Sequence, residues 1–139
     1  MKARILLVMP PQRRLSLLRI LEANGMELSL AGGVREAQAK LSEPASYDLL
    51  FVDAELSDGS WKDILHLVTH LKKSCEMIVC CRYGNEHLWA EVIQCGAYDL
   101  IPEPYEEREV ARIARSALDS QYMRRFMQPS LSRSKEAAS

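Results

Sequence analysis

The sequence lacks the features that mark several large classes of protein. No apolar run approaches the ~18 residues that span a bilayer. The apolar stretch 5–9, which follows the basic residues Lys2 and Arg4, is too short for the core of a signal peptide. The net charge is −1, so no overall field draws the chain to nucleic acid or to an anionic membrane. We therefore expect a cytoplasmic protein with no nucleic-acid partner and no membrane partner.

The sequence also lacks the motifs of common catalytic and metal sites. Its 4 cysteines include no CxxC pair, and Gly32-Gly33 is accompanied by neither a GxGxxG motif nor a Walker lysine. His66 and His70 are spaced to share one helical face, but no third metal ligand accompanies them. No Ser/His/Asp or Cys/His set can be assembled. We expect a protein that is not an enzyme and has no metal-ligating residues.

Apolar runs alternate along the chain with amphipathic segments. The runs at 4–8, 27–30, 49–52, 77–80 and 99–101 are predicted strands. The predicted helices are 12–24, 34–41, 61–71, 86–95 and 106–126. Strict alternation of strands and helices indicates a parallel sheet with helices on both faces. The predicted fold is a flavodoxin-like three-layer α/β/α sandwich, with a five-stranded parallel sheet in the order 2-1-3-4-5.

In this arrangement ligands bind where the strands end, near the switch point between the first and third strands. The residues at those positions are Met9 and Pro10 after the first strand, Asp53 after the third, Cys80 and Cys81 after the fourth, and Glu103 after the fifth. A flavodoxin-like small-molecule site at this edge is one alternative. However, the loop after the first strand lacks the Ser and Thr side chains that would cradle a flavin phosphate.

Three segments resemble the receiver domain of two-component response regulators. They are ILLV at 5–8, YDLLFVD at 47–53, and CGAYDLI at 95–101 before the pair Pro104-Tyr105. The resemblance covers roughly residues 3–120 and implies a receiver-like domain at 1–126, with a sensor kinase or an output protein as partner. It also implies that Asp53 has the position of the phosphate acceptor. The Ser-rich segment 127–139 is predicted to be a polar, disordered tail.

The chain departs from the receiver pattern around Asp53. Receivers place two acidic residues after the first strand to hold Mg²⁺, a Ser or Thr after the fourth strand, an aromatic switch residue in the fifth strand, and a Lys before the proline. The corresponding residues here are Met9, Pro10, Cys81, Leu100 and Glu103. The resemblance further implies a cis bond before Pro104.

These departures remove the groups that support phosphoryl transfer. Mg²⁺ takes oxygen ligands, which a thioether and a proline ring do not supply, so we expect no cofactor and a lost Mg²⁺ site. Replacing Lys by Glu reverses the sign of a charge that should stabilise a bound phosphoryl group. We expect Mg²⁺-dependent phosphorylation of Asp53 to be impaired or absent. One hypothesis is that Arg13 or Arg82 neutralises Asp53 or Glu103 through a metal-free ion pair that locks one conformation. The alternative is that both arginines are solvated surface charges.

The last predicted helix carries an apolar stripe that is predicted to be an interaction face. Its members are Val110, Ile113, Ala117 and Met123. Apolar residues continue past the predicted domain body, which suggests a partner helix or a homodimer formed through this helix. The leading interpretation is a signalling module of a two-component phosphorelay pathway that acts by protein–protein contact. The alternative is a phosphorylation-independent scaffold or dimerisation module.

Overall fold

The computed structural model describes residues 2–138, with side chains as far as 124 and that of Phe126. The strands are β1 Arg4–Val8, β2 Glu27–Ala31, β3 Leu49–Asp53, β4 Glu55–Leu56, β5 Gly59–Ser60, β6 Glu76–Cys81 and β7 Asp99–Pro102. The helices are α1 Leu15–Ala23, α2 Val34–Ser42, α3 Trp61–His70, α4 Glu86–Gln94 and α5 Glu107–Ala138, with a 3₁₀ turn at Pro11–Arg13. Within this described range no helix is both long and apolar enough to cross a bilayer.

The five long strands form one parallel sheet in the order β2-β1-β3-β6-β7. The short strands β4 and β5 form a separate hairpin that does not join the sheet. The five strands of the sheet, counted along the chain, therefore have the predicted order 2-1-3-4-5. The central strands are buried on both faces. Leu6 and Val8 of β1 belong to the core on one face, while Ile5 and Leu7 belong to the core on the other.

Two glycines with positive φ angles follow helices. Gly25 follows α1 with φ +76°, and Gly96 follows α4 with φ +102°. Residues with a Cβ rarely adopt these angles, so glycine allows the chain to leave each helix and enter the next strand.

The β4–β5 hairpin was not predicted, and it fixes the start of α2. The Asp58 carboxylate accepts hydrogen bonds from the backbone N–H groups of Val34 (2.8 Å) and Arg35 (3.0 Å). These bonds lower the pKa of Asp58. Gly33 allows the close approach, because a Cβ there would lie 2.5 Å from Asp58 Oδ1. A carboxylate distant in the sequence therefore caps α2.

The apolar stripe of α5 requires a correction. Val110, Ile113 and Ala117 are buried against the sheet, so the prediction that they form an interaction face was wrong. They are covered because α5 packs along β3, β6 and α1. Met123 lies further along the helix and is 55% exposed.

The end of α5 also differs from the prediction. The helix was expected to end near 126, and its backbone continues to Ala138. The side chains of 127–139 lie outside the described residues. The domain boundary at 126 and the disordered tail therefore stay predictions.

Candidate functional site

Asp53 is the last residue of β3, the central strand of the sheet, and it is fully buried. In the sheet register it lies beside Cys80 of β6. Its Oδ1 accepts a long hydrogen bond of 3.4 Å from the backbone N–H of Glu55. The fold thus places one carboxylate at the edge where parallel α/β sheets bind their ligands.

Arg13 bridges Asp53 and Glu103. Its Nη1 lies 2.5 Å from Asp53 Oδ2, and its Nη2 lies 3.0 Å from Glu103 Oε1. Arg13 ends the 3₁₀ turn that follows β1, and its backbone N–H donates to the carbonyl of Pro10 at 3.0 Å. The tight turn directs the side chain across the end of the sheet, where one guanidinium pairs with a carboxylate at the end of β3 and with another just after β7.

Burial and the neighbouring charges act against each other in the protonation equilibria of this cluster. It raises the pKa of the Asp53 carboxyl, and the charge of Arg13 and its hydrogen bond offset only part of that effect. Burial lowers the pKa of Arg13, but the hydrogen bond to Glu103 and the charges of both carboxylates outweigh it, so the pKa of Arg13 is raised. The guanidinium is therefore held firmly in its charged form.

The second arginine considered in the sequence is placed differently. Arg82 is exposed and forms no ion pair with the part of the chain that the structure describes. It lines a groove beside the Asp53 cluster, together with its neighbour Tyr83. Of the two candidates, Arg13 makes the contact with Asp53. That this contact locks one conformation stays a prediction.

The positions that depart from the receiver pattern surround this bridge. Met9 is fully buried in the core, Cys81 is 4% exposed, and Leu100 packs in the core with Val92. Burial raises the pKa of the Cys81 thiol, and the nearby Asp53 charge raises it further. Pro10 is half-buried at the start of the loop that leads to Arg13.

The segment after β7 brings Glu103 to the bridge. The Glu103–Pro104 peptide bond is cis, and the Glu103 N–H donates to the carbonyl of Cys81 at 2.8 Å. The Glu103 side chain remains 36% exposed. Tyr105 follows with its hydroxyl buried beside the Cys80 thiol, and burial raises the pKa of that hydroxyl. Nothing in the sequence pattern had marked this hydroxyl.

Few of the groups around Asp53 are the oxygen ligands that Mg²⁺ takes. Asp53 gives one oxygen to Arg13, and the residues that follow β1 supply a thioether and a proline ring. Mg²⁺ requires near-octahedral oxygen coordination. Within the described residues no group of three or more His, Cys, Asp or Glu side chains is arranged to hold a metal. That Arg13 takes the place of the metal ion stays a prediction.

The histidines and tryptophans of α3 and α4 take no part in the bridge that Arg13 makes. His66 and His70 are both exposed on α3. Trp61 is buried in the core, whereas Trp89 on α4 is 50% exposed and its Nε1 donates to Asp99 Oδ1 of β7 at 3.2 Å. This link between α4 and β7 was not predicted, because a hydrogen bond between distant side chains leaves no periodic signal.

No protein-family model matches the chain. The sensory transduction protein LytT of Enterococcus faecalis is 33% identical over 87 residues, which cover 63% of this chain and 35% of that protein. The acid tolerance regulatory protein ActR of Rhizobium meliloti is 30% identical over 99 residues, which cover 70% of this chain and 49% of that protein. The chain thus spans half or less of the length of these relatives.

Solved structures agree with these relatives. A CheY-like response regulator receiver domain from Methanospirillum hungatei has a TM-score of 0.77 and 26% identity, covering 88% of this chain and 98% of its own. The signal receiver domain of a putative Luxo repressor protein from Vibrio parahaemolyticus has a TM-score of 0.80 at 19% identity, covering 91% of this chain and 98% of its own, and shows the same fold. The chain belongs to the receiver-domain family of two-component response regulators.

Proposed function

We propose that this receiver domain is an atypical, pseudo-receiver signalling module that acts by protein–protein contact. In this proposal Mg²⁺-dependent phosphorylation of Asp53 is impaired or absent. The observation that carries the proposal is the bridge from Arg13 to Asp53 and Glu103. The partner is a sensor kinase or an output protein, and the domain itself performs no catalysis. A cytoplasmic location without nucleic-acid contact fits this role.

The physical support concerns charge and access at Asp53. Phosphoryl transfer to a carboxylate depends on positioning and on cations that cancel the charge of the transferring group. Here the cation at Asp53 is already engaged by two carboxylates, and the Asp53 side chain is only 1% exposed. Glu103 adds negative charge where a phosphoryl group would lie. A phosphodonor would have to break the Arg13 ion pair before it could react.

The test is incubation of the full chain with acetyl phosphate, or with beryllofluoride, at millimolar Mg²⁺. Intact mass spectrometry should show no phosphoryl adduct, and NMR should show no shift around Asp53. The comparison variant combines Arg13→Ala with Glu103→Lys, which removes the internal cation and supplies the family's lysine, and it should gain reactivity. A saturable adduct on the wild-type chain that disappears in Asp53→Asn would overturn the proposal.

A second candidate function is a phosphorylation-independent dimerisation or scaffold module. The observation that favours it is an apolar surface on the described end of α5, where Tyr122, Met123 and Phe126 are 68%, 55% and 72% exposed. Gln121 is buried against the domain, and its side chain donates to the carbonyl of Ser74. The three apolar side chains therefore face away from the domain, where a second copy of the helix or another protein would cover them.

A further inference from the structure

A groove of about 900 Å³ lies between α1 and the loops that follow β6 and β7. The α1 side contributes Leu15, Ser16 and Arg19, and the loop after β6 contributes Arg82 and Tyr83. The volume falls in the range of about 300–1,000 Å³ that is usual for small-molecule sites. The groove adjoins the Asp53 cluster but is open to solvent, so a ligand can enter it while the Arg13 bridge stays intact.

The groove carries positive charge that the protein does not neutralise. Arg19 and Arg82 are both exposed, and neither forms an ion pair with any residue in the described range. Glu103 is the one acidic residue that lines the groove, and Arg13 already pairs with it. Two guanidinium groups on one groove can each donate paired hydrogen bonds to an anion that carries several oxygens.

Planar and apolar side chains lie beside these charges. Tyr83 is 85% exposed, so its ring lacks the packing that a tyrosine usually has in a folded protein. Leu15, on the opposite wall, is 53% exposed. An exposed aromatic ring on the same groove as two arginines provides a stacking surface for a flat ring that carries an anion.

We propose that this groove binds a phosphate monoester attached to a planar ring, which is the chemistry of a mononucleotide. Arg19 and Arg82 bind the phosphate, and Tyr83 stacks on the ring. The groove is open to solvent and has the volume of a small-molecule site, so it admits a compact ligand of this size. This proposal is independent of the phosphorylation state of Asp53, so either proposal can fail without the other.

The first test titrates the full chain with adenosine monophosphate and follows backbone and arginine side-chain NMR signals. Saturable shifts are expected at Arg19, Arg82 and Tyr83. Adenosine and inorganic phosphate, titrated separately, should each bind at least about tenfold more weakly, because each lacks one half of the recognised chemistry. The absence of saturable shifts at millimolar nucleotide would overturn the proposal, as would inorganic phosphate binding as tightly as the nucleotide.

The second test uses matched surface variants, whose fold is checked by circular dichroism. Arg19→Gln and Arg82→Gln should each weaken binding about tenfold, whereas Arg35→Gln, which changes an exposed arginine outside the groove, should not. Tyr83→Ala should weaken binding about tenfold, and Tyr122→Ala should leave it unchanged. Equal weakening by test and control variants, or tighter binding of an acidic peptide than of the nucleotide, would contradict the proposed ligand.

Discussion

Two buried carboxylates lie on neighbouring strands of the sheet at opposite edges, and each is paired with an arginine. At the end of β3, the side chains of Asp53 and Arg13 are 1% and 12% exposed. At the start of β6, Glu76 and Arg124 are 10% and 59% exposed. Glu76 also accepts a hydrogen bond of 3.2 Å from the Ser120 hydroxyl.

The difference shows that the same pair of chemical groups serves two purposes. Arg124 keeps much of its contact with water, so its link to Glu76 fastens α5 to the sheet at a modest electrostatic cost. The Arg13 side chain is largely shielded from solvent, and it pairs with two carboxylates at once. Removing Arg13 would leave a buried charge with no counterion, which is far more costly than losing an exposed ion pair.

The largest effect is therefore expected for Arg13→Met, which keeps the aliphatic length of the side chain and removes its charge. The free energy of unfolding at pH 7 should fall by about 3 kcal/mol, because ionised Asp53 remains buried beside Glu103. Urea denaturation measures this change. Arg124→Met is the matched variant at the other edge and should cost about 1 kcal/mol or less. Equal losses in the two variants would remove the distinction between the two edges.

A smaller effect is expected in the pH dependence of stability, measured as the difference between the wild-type chain and Asp53→Asn. Burial raises the pKa of Asp53 above 3.8, so the folded chain retains a proton that the unfolded chain has already released. The contribution of Asp53 to the free energy of unfolding therefore falls as the pH rises from about 3.8 through the raised pKa. The free energy of unfolding of Asp53→Asn should therefore rise relative to that of the wild type over this pH range. Urea denaturation at a series of pH values measures the difference. A difference that changes in the opposite sense would mean that Arg13, and not burial, controls the carboxyl.

The smallest effect is expected at Asp58, an exposed carboxylate whose partners are backbone N–H groups. Its pKa is lowered, so its contribution is present above its ordinary value of 3.8 and is lost as the pH falls through the lowered pKa. Asp58→Ala should reduce the melting temperature at pH 7, and the reduction should vanish in acid. Ser57→Ala, at the neighbouring exposed position, is the control and should leave the melting temperature unchanged. If the melting temperature is still reduced in acid, the stabilisation by Asp58 does not depend on its negative charge.

Most of the fold was predictable because it follows from continuous apolar runs. Buried strands such as Leu49–Asp53 are apolar up to their last residue, and alternation with helices leaves few topologies to choose from. The β4–β5 hairpin was not predicted, because strands of two residues show no periodicity in the sequence. Its carboxylate Asp58 looks like an ordinary turn residue, and its role as a cap depends on a helix 23 or 24 positions away.

The candidate site was predictable only in part. The rule that ligands bind at the ends of the strands predicted that Asp53 and Glu103 belong to the site. It did not show whether Arg13 or Arg82 contacts Asp53, because that depends on the direction of each side chain. The 3₁₀ turn directs Arg13 across the sheet edge, whereas Arg82 stays in solvent. The prediction of an interaction face on α5 was wrong for a related reason. Apolar spacing shows that one face of a helix is buried, but it does not show which surface buries it. For Val110 that surface is the sheet of its own domain.

The hydrogen bond between the Trp89 indole and Asp99 has a practical consequence. The chain has two tryptophans, one enclosed in the core on α3 and one half exposed where α4 meets β7. Acrylamide in the solvent can reach the second indole and not the first, so the fluorescence of an unlabelled sample divides into an interior signal and a surface signal. A partner that binds on the α4 side of the molecule will therefore change the emission wavelength of Trp89 and its quenching by acrylamide.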